Sequence, residues 1–340
     1  MNNGKTALIT GASSGIGQEL AQLFARDGFN LVLVARNTEA LNQLAGRLWE
    51  QHQVESVVIT KDLSEEDAAE EVYDQVKERG ITVDVLVNDA GAGLYGHFAT
   101  ETDWEREKAL IHLNVLATTQ MTKLFLKDMV ARNEGKILNL ASLVSITPMP
   151  LMAVYAATKA YVYNFTQSLI NELKDTKVTI TALLPNATDT QFFNRAGAPD
   201  VKVTDHLDDP EMVARDAYKA LMKGAHKVIP GGIVNKAYEV MSYVAPQEAL
   251  AGMMRYNMTP KNDLKPDGSE KSAAWAWGLG IAALALAGVA LAVAYSDDKV
   301  AERVRNRVHP DNWLPELEGA IRSARELVGN GWGKAREAVS

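Results

Sequence analysis

The segment TALITGASSGIGQEL, Thr6 to Leu20, joins a short apolar run to a glycine-rich turn, and the turn to the start of an amphipathic helix. Thr6–Thr10 is continuously apolar between two threonines, the pattern of a strand buried on both faces. From Gly15 to Asp27, Ile16, Leu20, Leu23 and Phe24 recur at helical spacing and share one face. Gly11, Gly15 and Gly17 stand between the two. Glycine lets a backbone turn tightly and approach a ligand, and a helix N-terminus offers free N–H groups and the positive end of a dipole. Together these suit a pyrophosphate. The spacing is G-x-x-x-G-x-G, not the more usual G-x-G-x-x-G. Three glycines alone also fit a plain structural turn. The strand before them and the helix after them favour dinucleotide binding.

The same alternation continues along the chain. NLVLVA from Asn30, SVVIT from Ser56, VDVLVN from Val83, GKILNLA from Gly135, TITALLP from Thr179 and HKVIP from His226 read as further buried strands. Amphipathic stretches of helical length lie between them, one from Asp103 to Ala131. The pattern predicts an α/β fold: a Rossmann-type doubly wound parallel sheet of about seven strands, with a C-terminal helical extension.

Composition narrows the function classes. The 340 residues are 47% hydrophobic and 23% charged, an ordinary globular balance. The net charge of −8 argues against nucleic acid as a partner, because phosphate binding needs a basic face. The chain has no cysteine, which excludes disulfides, thiolate metal sites and cysteine nucleophiles and fits a reducing compartment. No metal site is expected. MNNGKTALIT has no basic region followed by an apolar core, so no secretory leader is expected.

The second strand bears on the cofactor. A dinucleotide fold that prefers NAD carries an Asp or Glu about 20 residues on, bonded to the ribose 2′-hydroxyl. Here LVLVARN puts Ala35 where the acid would stand, and Arg36 follows. A guanidinium suits a 2′-phosphate that a carboxylate would repel. NADP(H) is the expected cofactor; the bland alternative is that Arg36 is a solvated loop residue.

The chemistry-bearing groups follow. NLASLVS ends a strand at Ser142, and VYAATKAY sets Tyr155 and Lys159 four residues apart, on one helix face. A phenol ordinarily loses its proton near pH 10, and a neighbouring ammonium is expected to bring it toward working pH. Tyr155 then exchanges a proton with a carbonyl or alcohol oxygen while Ser142 hydrogen-bonds that oxygen. A Tyr–Lys pair at this spacing arises by chance on many helices, and Tyr161 and Tyr163 share this one. Joined to the glycine turn and to Ser142 upstream, the pair becomes specific.

In these motifs and their order, residues 5–258 resemble the short-chain dehydrogenase/reductase family. TGASSGIG resembles the family's cofactor turn, which implies Gly11, Ser13, Ser14, Gly15, Ile16 and Gly17 at the nucleotide. In KDLS, Asp62 resembles the acid that bonds the adenine, with Leu63 beside it. NDAG, Asn88 to Gly91, resembles the family's Asn-Asn-Ala-Gly segment and implies Asn88, Ala90 and Gly91 along the cofactor. PNATDT resembles a Pro-Gly segment at the nicotinamide amide, implying Pro185, Thr188 and Thr190. Asn114, Ser142, Tyr155 and Lys159 match the catalytic set. The resemblance further implies that Tyr155 and Lys159 contact the cofactor, Lys159 at the nicotinamide ribose, and that Asn114 kinks its helix to seat a relay water. Two residues depart from the pattern. Asp89 replaces the second asparagine, adding a carboxylate without an obvious role, and Asn186 replaces a glycine, in a turn that asparagine's tolerance of left-handed φ would preserve.

The resemblance also implies that specificity lies in the loops after the fourth, fifth and sixth strands, which carry Gly93, Leu94, Tyr95, His97, Val144, Met149, Leu151, Met152, Phe192 and Phe193. They are mostly apolar and hold no cation for a carboxylate. The expected function is therefore an NADP(H)-dependent oxidoreductase interconverting an apolar or lipid-like ketone or aldehyde with its alcohol. The alternative is a membrane-associated NADP-binding scaffold or sensor without turnover. Several of these loop residues serve equally well as core, and His97 as a solvated side chain.

The expected organisation is an oxidoreductase domain over 1–258, a polar linker over 259–272, an apolar segment over 273–295 and an amphipathic tail over 296–340. The segment AAWAWGLGIAALALAGVALAVAY, Ala273 to Tyr295, is uncharged and long enough to span a bilayer, which takes about 20 residues. Trp275, Trp277 and Tyr295 lie at its ends, as interfacial aromatics do. It is rich in alanine, so a buried hairpin or oligomer helix is the rival reading. In the tail, Leu317, Ile321, Ala324 and Val328 share a helical stripe. The enzyme domain is expected in the cytoplasm, membrane-tethered or alternatively soluble, and as a homo-oligomer.

Overall fold

The computed structural model describes residues 3–231 and 233–263. The first half of the sheet is built from β1 (Thr6–Thr10), α1 (Gly15–Arg26), β2 (Asn30–Ala35), α2 (Thr38–His52), β3 (Ser56–Thr60) and α3 (Ala68–Glu78). Then come β4 (Val85–Asn88), α4 (Trp104–Ile111), α5 (Thr118–Ala131), β5 (Gly135–Leu140), α6 (Ala153–Glu172) and β6 (Val178–Leu183). After these lie α7 (Phe192–Ala196), α8 (Pro210–Met222), β7 (Lys227–Val228), α9 (Ile233–Val244) and α10 (Gln247–Asn257).

The seven strands form one sheet in the order β3-β2-β1-β4-β5-β6-β7, all parallel. This is the doubly wound architecture read from the alternation of strands and helices. The order reverses between β1 and β4, and such a switch point opens a crevice at the carboxyl ends of the strands. Register brings three loops to that crevice together: Thr10 lies opposite Asn88, and Asn88 opposite Asn139.

Pleating sends alternate side chains of each strand to opposite faces. Ala7 and Ile9 of β1 pack with Leu20 and Phe24 of α1, Leu41 of α2 and Leu221 of α8. Leu8, between them, packs on the other face with Val72 of α3 and Met121 and Phe125 of α5. Both faces are covered, so the strands read as continuous apolar runs. Each fully buried Leu or Ile contributes roughly 1.5–3 kcal/mol.

The structure departs from the sequence reading in its details. HKVIP narrows to two paired residues, Lys227–Val228. The expected helix over Asp103–Ala131 holds, with Asp103 capping it by accepting from the N–H groups of Glu105 and Arg106. However, it contains a π-helical turn at His112–Ala117. Asn186 does not adopt positive φ, so its tolerance of that conformation is not called upon.

The chain divides into two compact units, Met1–Asn235 and a second that begins at Lys236, within α9. In the second unit the Tyr238 hydroxyl contacts Met254 Sδ at 3.2 Å, joining α9 to α10. Among the described residues no helix is long and apolar enough to cross a membrane. The expected span over 273–295 and the tail over 296–340 lie outside the described residues, as does most of the linker.

Candidate active site

The turn after β1 is shaped by its glycines. Gly11 (φ 73°) and Gly15 (φ 59°) adopt left-handed backbone that disfavours other residues. A methyl group at Gly17 would lie 2.6 Å from Asp89 Oδ2 and 2.7 Å from the Gly11 carbonyl oxygen. One at Gly15 would lie 2.9 Å from Thr190 Cγ2. At the start of α1, Ser14 makes no side-chain cap and the first turn holds no acid. Of its first N–H groups, that of Gly17 is taken by the Asp89 carboxyl; the remaining donors, the positive dipole end and the glycine cradle fit a dinucleotide pyrophosphate. Ser13 and Ser14 are half-buried in this turn, whereas the Ile16 side chain points into the core.

Beside the turn, Arg36 is exposed at the end of β2, and its Nη1 pairs with Asp62 Oδ2 at 3.3 Å. Asp62 also accepts from the N–H (2.9 Å) and hydroxyl (2.7 Å) of Ser64. Burial works to raise the Asp62 carboxyl, but the Ser64 hydrogen bonds and the Arg36 guanidinium outweigh it and hold it below its ordinary value. Leu63 is buried among the core residues facing α3 and α5.

The loop after β4 has two sides. Asn88, expected at the cofactor, turns inward: its Nδ2 donates to Thr122 Oγ1 at 3.0 Å and Asn139 Oδ1 at 2.9 Å. Asn139 in turn donates to Thr166 at 3.0 Å. The Asn88 amide thus locks β4 to β5 and α5 rather than reaching into the crevice, because a buried amide must find partners. The N–H groups of Asp89 and Ala90 both donate to Thr10 Oγ1 at 3.1 Å, binding this loop to β1. Asp89 is partly exposed as a residue, yet its Oδ1 is sealed from solvent and has no partner. Its carboxyl accepts from the Gly17 N–H and is raised to about 7 by burial, against the opposing pull of Lys159 and Gly17. Gly91 is exposed, and a methyl group there would lie 3.3 Å from both Asn114 Oδ1 and Lys159 Nζ.

Three of the four catalytic candidates, Ser142, Tyr155 and Lys159, gather at the carboxyl end of β5, and Asn114 joins them from the π-turn. Its Nδ2 donates to the Ala92 carbonyl and to Thr158 Oγ1, both at 3.0 Å, and its Oδ1 accepts from the Ala92 N–H at 3.0 Å. The extra residue of the π-turn turns the Asn114 side chain toward the crevice loop and α6. Ser142 hydrogen-bonds Tyr155, and its Oγ also accepts from the Val144 N–H at 3.3 Å. Lys159, on the same helix as Tyr155, donates from Nζ to the Leu140 carbonyl at 2.8 Å.

The electrostatics differ from expectation. Burial pushes the Tyr155 phenol up, to about 12, and the Ser142 hydrogen bond only partly opposes it. Lys159 lies 6.0 Å from the ring centre and does not bring the phenol down. Burial instead lowers Lys159 to about 8, with Asp89 pulling the other way. Desolvation dominates because both groups are sealed within the fold.

Two residues that the sequence reading passed over complete the arrangement. Ser145 Oγ accepts from the Ser142 N–H at 3.1 Å and donates to the Lys159 carbonyl at 2.9 Å, tying the serine loop to α6. The serine three positions after Ser142 carries the spacing of a capping box, which is the signal that could have found it. Thr158 accepts from Asn114 and donates to the Tyr155 carbonyl at 2.7 Å.

The loop after β6 closes the far side. Thr190 abuts Gly15, Thr188 bonds the Asn186 carbonyl at 2.9 Å, and Pro185 O lies 3.5 Å from Ser142 Oγ. From α7, the Phe192 ring reaches within 5.0 Å of the Tyr155 ring. Gly93 fits beneath it: a methyl group there would lie 2.6 Å from Phe192 Cζ and 2.7 Å from Met152 Cε. Leu94, Met149 and Phe193 are buried, whereas His97 is exposed and its backbone N–H donates to Glu101.

Comparison with known proteins agrees with this fold. A family model described as short chain dehydrogenase matches residues 5–200. The chain therefore belongs to the short-chain dehydrogenase family. It is 36% identical over 187 residues to a very-long-chain 3-oxoacyl-CoA reductase from Bos taurus, covering 54% of this chain and 59% of that protein. It is 35% identical over 192 residues to a 17-beta-hydroxysteroid dehydrogenase type 3 from Mus musculus, covering 55% of this chain and 61% of that protein. The chain thus spans less than two thirds of the length of either relative. A solved short-chain dehydrogenase from Sphingobium yanoikuyae in complex with NADPH aligns with a TM-score of 0.63 and 34% identity, covering 66% of this chain and 87% of that one.

Proposed function

We propose that this protein is an NADP(H)-dependent reductase of apolar ketones or aldehydes. The observation that carries the reading is the convergence of Tyr155, Ser142 and Lys159 beside the open glycine cradle. A reduced nicotinamide bound there supplies the hydride. Tyr155, a neutral phenol held at about 12, gives its proton to the carbonyl oxygen as negative charge develops on it. Ser142 donates a hydrogen bond to that same oxygen. Lys159, cationic below about 8, adds positive charge to the site and offers donors to a ribose. Asn114 joins Ala92 to Thr158 and so steadies the end of α6 on which Tyr155 stands.

NADP(H) is preferred in this reading because the end of β2 carries Ala35 and an exposed Arg36 and no acid. The NADPH complex of the Sphingobium relative supports it. Phe192, Met152 and Leu94 supply an apolar wall, and the acyl-CoA and steroid names of two relatives agree with a bulky apolar substrate. Loss of NADPH absorbance over a panel of apolar ketones and aldehydes tests the reading. Turnover of at least one compound is expected. Tight NADPH binding with no turnover of any of them would favour the scaffold alternative.

The apolar segment Ala273–Tyr295 favours a second element: a membrane tether that brings the site to lipid-dissolved substrates. Fractionated cells washed with high salt and then alkali should retain the protein in the pellet. Full release would exclude the tether.

A further inference from the structure

Asp89 is a carboxylic acid set between the cofactor turn and the catalytic lysine, and the proton and hydride steps leave it without a role. One oxygen, Oδ2, sits against Gly11 and Gly17, where added methyl groups would lie 2.9 and 2.6 Å away. It is on this side that the carboxyl takes the Gly17 N–H. The other oxygen, Oδ1, is sealed and receives no donor. An anion with one unsatisfied oxygen in a closed site is costly, and the neutral acid is not. The groups facing it are few. From α1 and the turn comes the Gly17 N–H with the helix's positive end; from β1, the Thr10 hydroxyl, which is occupied by the Asp89 and Ala90 N–H groups; from α6, the Lys159 ammonium.

That positive end of α1 is also where the cradle would hold a dinucleotide's pyrophosphate. An ionised Asp89 and a pyrophosphate held at the same helix end would compete for the Gly17 N–H and repel each other. We propose that Asp89 is a positioning residue that couples nucleotide affinity to protonation: neutral, it seats the glycine turn for the pyrophosphate; ionised, it competes with the pyrophosphate for the positive end of α1. The inference rests on the cofactor reading above. By linkage, nucleotide binding then takes up a proton wherever Asp89 is ionised in the free protein.

The test is calorimetric titration of the full chain with NADP⁺, and separately with NAD⁺, which lacks the titrating 2′-phosphate. Titrations run from about pH 6 to about pH 8.5 in buffers of different ionisation enthalpy, which count the protons exchanged. For the wild type, uptake approaching one proton and an affinity that weakens by up to about tenfold per pH unit above neutrality are expected with both nucleotides. Asp89→Asn keeps the shape and an acceptor for Gly17 but cannot ionise; its affinity should match the wild type near about pH 6 and lose the slope through neutrality, leaving only the fall that Lys159 brings as it loses its proton at about 8. Equal uptake and slope in the two proteins would overturn the proposal. The wild-type proton count stands by itself if the variant fails to fold: binding of NAD⁺ without uptake overturns the proposal. Failure of either nucleotide to bind at any pH is a different outcome, which overturns the cofactor reading and this inference with it.

Discussion

The Lys159 ammonium donates to the Leu140 carbonyl at 2.8 Å. The last residue of β5 thus anchors the lysine that stands one helical turn from Tyr155. The bond keeps a sealed cation satisfied, but burial still brings it to about 8, while the Tyr155 phenol stands at about 12. As pH rises, Lys159 therefore loses its proton first. Its charged form is present below about 8 and absent well above it. The reductive kcat/KM should decline through this range, whereas titration of Tyr155 alone would leave the rate level to far higher pH. A pH–rate profile in the reductive direction checks this; a flat profile through about pH 10 would count against the assignment of Lys159.

Arg36 offers the clearest handle on cofactor choice. Its exposed pairing with Asp62 is worth little, about 0–1 kcal/mol, so the guanidinium is free to reorganise around a phosphate. Arg36→Ala should weaken NADP(H) binding by roughly ten- to a hundredfold, as loss of a charged hydrogen bond does, and leave NAD(H) nearly unchanged. Paired titrations with the two nucleotides measure the change in preference.

Ser145 fixes the serine loop to α6 through two bonds, to the Ser142 N–H and the Lys159 carbonyl. Ser145→Ala leaves both buried groups without this partner and should cost about 1–3 kcal/mol of stability. The same change lets Ser142 and Tyr155 drift apart, so kcat should fall by about tenfold or more while nucleotide affinity holds. Thermal melting and steady-state kinetics separate the two effects.

Gly93 lies against Phe192 and Met152, beside Tyr155, where the proposed function would place the substrate. Valine there would collide with Phe192 and Met152, so Gly93→Val should displace the wall over Tyr155. KM for bulky ketones should rise by about tenfold, within the range of a changed hydrophobic pocket, with nucleotide affinity unaffected. Phe192→Ala should widen acceptance toward bulkier compounds. A size series of ketones assayed on both variants reads this out.

Much of this was legible in the sequence because it depends on local pattern. Six apolar strands alternating with amphipathic helices, and a glycine turn between strand and helix, point to a parallel sheet covered on both faces, to which the seventh strand adds two paired residues. Ser142, Tyr155 and Lys159 were found through spacing along one loop and one helix. What escaped depends on distant approach. The bonds of the Asn88 amide to Thr122 and Asn139 are an instance, since only the packing of α5 and β5 supplies those partners. Asp89 gained a role only once β4 lay beside β1 and under the turn. The upward direction of the Tyr155 shift is not legible in the sequence, because helical spacing gives the Tyr–Lys separation but not the depth at which both are enclosed.

The central claim is that Tyr155 delivers the proton in an NADPH-driven carbonyl reduction. Its most direct test compares wild type with Tyr155→Phe, measuring NADPH oxidation on a substrate the wild type turns over and NADPH affinity in the same preparations. The expected result is a loss of kcat by about 10²–10⁴-fold with affinity for NADPH retained. Phenylalanine at 155 with undiminished turnover would contradict it.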